Sequence, residues 1–184
     1  MNHFKLKFIC SMVLLTFTAR IAFAQHHDHF PAGSKASAAS YAGQQTRQIK
    51  ALSTQEQQDW LDGKGSGMAK AAELNGYPGP MHTLEYAEQL NLNADQRQKT
   101  QALLLRHKAA VRDLGASLVA EEKNLDRQFA GKTISPAQVS SLTASIAELQ
   151  GRIRAEHLRT HLDQTALLTD GQIAQYQVLR GYTN

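Results

Sequence analysis

Near its C-terminus the chain reads LTDGQ, Leu168 to Gln172. A helix begins with backbone N–H groups that have no partner one turn earlier. Thr169 can accept from one of them, and Gln172, three residues on, can reach back to the amide of Thr169; this is a capping box. The device recurs in LSTQE (Leu52 to Glu56), LNADQ (Leu92 to Gln96) and ISPAQ (Ile134 to Gln138). The last has proline at the first helical position, where its missing N–H costs nothing. Each box follows Leu or Ile, which can fold back onto the next turn as a staple. Four boxes, each leading into a helical pattern, predict four helix starts.

The pattern behind the boxes is helical from Leu52 onward, and no stretch alternates with period two for long. From Ala94 to Phe129, Leu104, Val111, Leu114, Leu118, Leu125 and Phe129 fall on one stripe. From Pro136 to Leu167, Val139, Leu142, Ile146, Leu149 and Ile153 do the same. Gly131 and the Ile134-Ser135-Pro136 turn divide the two, which predicts a long antiparallel hairpin. At about 1.5 Å per residue each arm is roughly 50 Å long, so shorter helices or a second subunit are needed to cover it. Between Leu61 and Pro80 the pattern breaks at Gly63, Gly65, Gly67 and Asn75-Gly76, with short helices near 68–74 and 81–90. The expected fold is all-α: short N-terminal helices on the hairpin, a short C-terminal helix, and one domain over residues 52–184.

The N-terminus reads as an address. Lys5 and Lys7 precede an apolar run from Phe8 to Ala19, and Ala22-Phe23-Ala24 supplies the small-x-small cleavage pattern. Residues 1–24 are therefore expected to leave as a signal peptide, with Gln25 as the new first residue. Three of the 20 basic residues (Lys5, Lys7, Arg20) leave with it, which lowers the net charge from +4 to +1. That balance gives nucleic-acid binding little electrostatic support. The single cysteine, Cys10, leaves as well, so no disulfide or thiolate chemistry is expected in the mature chain. Residues 25–51, His-rich and then Ala/Ser/Gly-rich, read as a flexible tail.

Two groups of residues carry candidate chemistry. The first is the tail: Gln25-His26-His27 offers an amine, two amides and a third-position imidazole in a square-planar set suited to Cu or Ni, with Asp28 and His29 beside it. Cyclisation of Gln25 would block the amine, and a solubilising tail is the competing reading. The second is EHLRTHL. His157 and His161 are four apart and share a helix face. If the hairpin turns near residues 132–133, positions whose numbers sum to about 265 lie level, which places His107 opposite about residue 158. His82, with Glu85 three residues on, can join from the preceding helix. Together these imidazoles and the carboxylate suit Zn, Cu or Ni, or else the histidines cap and bridge helices. Enzyme signatures are missing: H-L-R-T-H lacks the glutamate of the zinc-protease motif, and Gly63-x-Gly65-x-Gly67 follows no strand and lacks nucleotide-loop spacing.

With these residues in view, the chain resembles the Spy/CpxP family of periplasmic proteins, marked by paired Leu-Thr-x-x-Gln motifs in an all-helical, signal-bearing chain. LNADQ and LTDGQ stand in those places, with Asn93 for the first Thr. NGYPGPMHTLEYAEQL, EHLRTHL and the closing LRGY (Leu179 to Tyr182) are also similar to a branch of the family. The resemblance implies a periplasmic, dimeric, ATP-independent chaperone of the envelope stress response that holds unfolded client proteins without a required cofactor. That is the leading expectation; the alternative it implies is a heavy-metal sensor or resistance protein that binds Cu, Ni or Zn through His and acidic ligands, and a third reading is a structural binding partner of an envelope sensor protein. None of these readings involves catalysis, nucleic acid, or a membrane span after signal cleavage.

Overall fold

The computed structural model describes residues 40–182. The expected signal peptide and the tail residues His26, His27 and His29 lie outside them. The described chain is all-α: α1 (Thr54–Asp62), α2 (Lys70–Glu73), α3 (Pro80–Glu85), α4 (Ala94–Ala130), α5 (Pro136–Thr165) and α6 (Asp170–Leu179), after a single 3-10 turn at Gln44–Thr46. Among the described residues no helix is long and apolar enough to cross a membrane.

All four boxes form. Ser53, Asn93, Ser135 and Thr169 each accept from the backbone N–H three residues on, and Glu56, Gln96, Gln138 and Gln172 each return a side-chain acceptor to the cap amide. Two of the boxes are also joined to each other. Gln96 Nε2 donates to Gln172 Oε1 (2.8 Å) and Gln172 Nε2 donates to Gln96 Oε1 (3.1 Å). The same amides reach the backbone carbonyls of Leu167 and Leu90. The two glutamine motifs therefore form one reciprocal amide clasp that ties the start of α4 to the start of α6. Beside it, Leu90, Leu92 and Ala87 pack on the fully buried Tyr176, with Leu168 and Leu179 against them.

Helices α4 and α5 run antiparallel, turning through Gly131 and Lys132. Thr100 meets Gln164 and His107 meets Thr160, so level positions sum to about 264–267, close to the spacing argument. The buried line of α4 is Thr100, Leu103, His107, Val111, Gly115 and Leu118. This departs from the apolar stripe in three ways. Leu103 is buried, while Leu104, which the stripe counted, is only half-buried. Phe129 is 55% exposed, because little of the chain covers the hairpin near its turn. Thr100 and Gly115 are buried although an apolar count skips them. At Gly115 the Trp60 carbonyl of α1 lies where a Cβ would stand, so glycine sets how closely α1 approaches. Leu118, Ile146 and Ile153, with Trp60 and Met68, complete the core toward the turn.

The packed chain begins before Leu52. Ile49 is 1% exposed, and Asp126 accepts from the Lys50 amide at 3.0 Å and from its ammonium at 3.1 Å. The boundary expected at residue 52 thus cuts into packed structure. The polar composition of residues 40–51 hid one apolar anchor and one long-range ion pair.

Candidate functional site

Between the two apolar clusters the inside of the hairpin turns polar. Thr100 and His107 of α4 face His157, Thr160 and Gln164 of α5, and all five are buried. The two imidazoles meet edge to face, with centroids 4.6 Å apart and planes at 68°. His107 Nδ1 lies 3.0 Å from Thr160 Oγ1 and 3.9 Å from a Glu156 carboxylate oxygen. His157 Nε2 is buried without a hydrogen-bond partner. Burial pushes both rings down from 6.5 to about 4; positive charge at His161 and Lys108 adds to this for His107, and charge at His107 and His161 for His157. Both are therefore neutral at physiological pH.

His107, His157 and Thr160 form one wall of a cavity of about 830 Å³. Its other walls come from the glycine-rich segment after α1, from α2, from the start of α3 and from the C-terminus, and they include His82 and His161. His161 Nδ1 is 2.8 Å from the Tyr77 carbonyl, which only accepts, so Nδ1 carries a proton and the bond leaves Nε2 uncommitted. The glycines make room for the rings. A Cβ at Gly79 would stand 2.8 Å from His161 Cε1, and one at Gly65 would stand 3.3 Å from His157 Cε1. Gly63 ends α1 at φ +69, a left-handed conformation that favours glycine.

The four core histidines singled out in the sequence thus share one cavity. Glu85 does not join them: it is exposed, 4.0 Å from His82 Nε2, and outside the cavity wall. Asp62 and Glu73 are the carboxylates that line it, and it is Glu73, which sequence periodicity gave no reason to choose, that lies beside a histidine. Its Oε1 accepts from Tyr176 (2.6 Å), Arg180 (3.2 Å) and Tyr182 (3.3 Å). Its Oε2 is buried without a hydrogen bond and lies 3.6 Å from His161 Nδ1. Burial, then the carboxylate that takes its hydrogen bond, push the Tyr176 hydroxyl far above the usual phenol range. The closing LRGY is accounted for here: Arg180 and Tyr182 clamp Glu73 and so hold α6 to α2.

Among the described residues no group of three His, Cys, Asp or Glu side chains is arranged to hold a metal ion. The donors are engaged in pairs instead: His107 with Thr160, His161 with Tyr77, and Glu73 with the α6 clamp. The charge of the wall is the second observation. Lys64, Lys70, Lys108, Arg112 and Arg180 line the cavity against Asp62 and Glu73. Compared with protein-family models, curated proteins and solved structures, the chain gives no match.

Proposed function

We propose that this chain acts by binding rather than by catalysis, as a helical protein of the cell envelope, and that the His-lined cavity is its working site. One observation carries the reading. His82, His107, His157, His161 and Glu73 come from four helices, converge on one cavity, and include two polar atoms left buried without a partner. Such groups cost stability unless something pairs with them, and these two sit where a ligand in the cavity can supply the partner. Among the functions implied by the resemblance to the Spy/CpxP family, this supports one exercised by a ligand bound between the short helices and the hairpin over one exercised on an exposed client-holding face. The test is thermal unfolding of the signal-processed chain with Cu, Ni and Zn salts and with small organic anions. A ligand at about 100 times its Kd adds about 2.7 kcal/mol of stability. If no ligand of either kind moves the transition, the cavity is not the working site.

A second reading, the ATP-independent chaperone, has its own support. Leu105, Phe129, Leu162 and Val178 are each more than half exposed on the long helices and α6, and such side chains can hold an unfolded client or a second copy of the chain. It expects an equimolar amount of protein, without ATP, to suppress aggregation of an unfolded client. An unchanged aggregation curve would remove it.

A further inference from the structure

We propose that the cavity takes a small organic anion, its charged head held by Lys70, Lys108 and Arg112 and its apolar body lying along Leu104, Met81 and Pro80. The inference rests on the reading of the cavity as the working site and names its ligand class.

Charge is the first argument. Five cations against two carboxylates give the wall a net charge of +3, while the described chain as a whole is close to neutral. Positive charge is therefore concentrated at this concavity. Part of it is already spoken for: Lys64 pairs with Asp59 at 2.7 Å, and Arg180 with Glu73 at 3.2 Å. Among the described residues Lys70, Lys108 and Arg112 make no ion pair, and Arg112 reaches only the Asp62 carbonyl, at 3.4 Å. A concave wall of one sign focuses the field and draws in the opposite charge, and charge-assisted hydrogen bonds then hold it. A metal dication would enter against that field.

The donor chemistry is the second argument. Among the described residues the His161 imidazole and the Glu73 carboxylate are not joined by a third His, Cys, Asp or Glu side chain in an arrangement that would hold a cation. The third argument is size and texture. A volume of about 830 Å³ is that of a small-molecule site, and the apolar wall of Leu104, Met81 and Pro80 would be left uncovered by a bare inorganic anion. The ligand class is therefore a carboxylate or a phosphate ester on an apolar body.

The experiment is isothermal titration of the signal-processed chain, in phosphate-free buffer at low ionic strength, with phenyl phosphate, inorganic phosphate, benzyl alcohol and a zinc salt. The expected result is binding of one phenyl phosphate. The uncharged alcohol and inorganic phosphate should each bind about tenfold or more weakly, and the Lys108→Gln/Arg112→Gln chain should lose about tenfold or more in affinity for phenyl phosphate. Both side chains are exposed, and helical content read by circular dichroism establishes that the variant folds. Unchanged affinity in that variant, or equal affinity for inorganic phosphate, overturns the proposal. Zinc binding that is lost in His157→Leu, with no binding of phenyl phosphate, overturns the anion and leaves the cavity as the working site. No binding of any of the four overturns both.

Discussion

Acidification from about pH 7.5 to about pH 5 should cost this protein about 2 kcal/mol through His107 and His157 alone. In the unfolded chain each imidazole titrates at its ordinary 6.5; in the folded chain burial, and then neighbouring positive charge, hold both to about 4. Between those values the unfolded state binds more protons. Stability is therefore intact above the unfolded value and is lost as the pH falls from 6.5 through about 4. Down to about pH 5 the window spans about 1.5 units, or about 2 kcal/mol per ring at 1.36 kcal/mol per unit. By surface area the rings are nine-tenths covered, yet they edge an open cavity whose water screens them. Halving the value for that screening leaves about 2 kcal/mol for the pair.

The two rings touch, so the protons belong to the pair and not to either ring. The charged and titratable groups that face them are Lys108, Glu156 and His161. The carboxyls of Glu56, held low by its capping hydrogen bonds to Ser53, and of Asp126, held low by Lys50 against its own burial, surrender stability only as the pH falls below about 4.5, so the chosen end point largely leaves them out. The assay is urea unfolding at both pH values, for the natural chain and for His107→Leu/His157→Leu, with linear extrapolation to water. The variant should lose about 2 kcal/mol less than the natural chain over the same interval. Equal losses in the two chains would refute the reasoning.

Two further expectations follow from the packing. Replacing Gln96 and Gln172 by alanine, singly and together, should show a coupling of about 1 kcal/mol in a double-mutant cycle, because each amide serves the other as well as its own cap; additive losses would mean the clasp contributes nothing. Gly115→Ala sets a Cβ against the Trp60 carbonyl and should cost about 1–3 kcal/mol, with fluorescence of the single tryptophan shifting to the red as α1 lifts away; an unshifted spectrum and an unchanged melting temperature would contradict the close approach.

The elements themselves were legible because their signals are local. A capping box needs four residues, and LSTQE, LNADQ, ISPAQ and LTDGQ mark the starts of α1, α4, α5 and α6 as observed. The hairpin level was legible for the same kind of reason: once two helices and their turn are placed, a fixed rise per residue sets which positions meet, and His107 meets His157 and Thr160. Other features depend on partners distant in sequence. Gly115 is a weak helix former until the carbonyl of Trp60 lies on it. Glu73 is an ordinary polar residue until Tyr176, Arg180 and Tyr182 arrive from α6. Glu85 has the right spacing from His82 but faces away from the cavity wall, because α3 is one short turn whose faces are set by what it packs on.

The sequence by itself determined where helices begin, which two run antiparallel, and which histidines stand level, since backbone hydrogen bonding and helical rise depend on neighbours along the chain. The tertiary structure decided that the two glutamine motifs clasp each other, that four histidines and Glu73 share one cavity, and that five cations line it against two carboxylates. Burial, unpaired polar atoms and local charge arise from surfaces brought together across scores of residues, and no local pattern specifies what such a surface will meet.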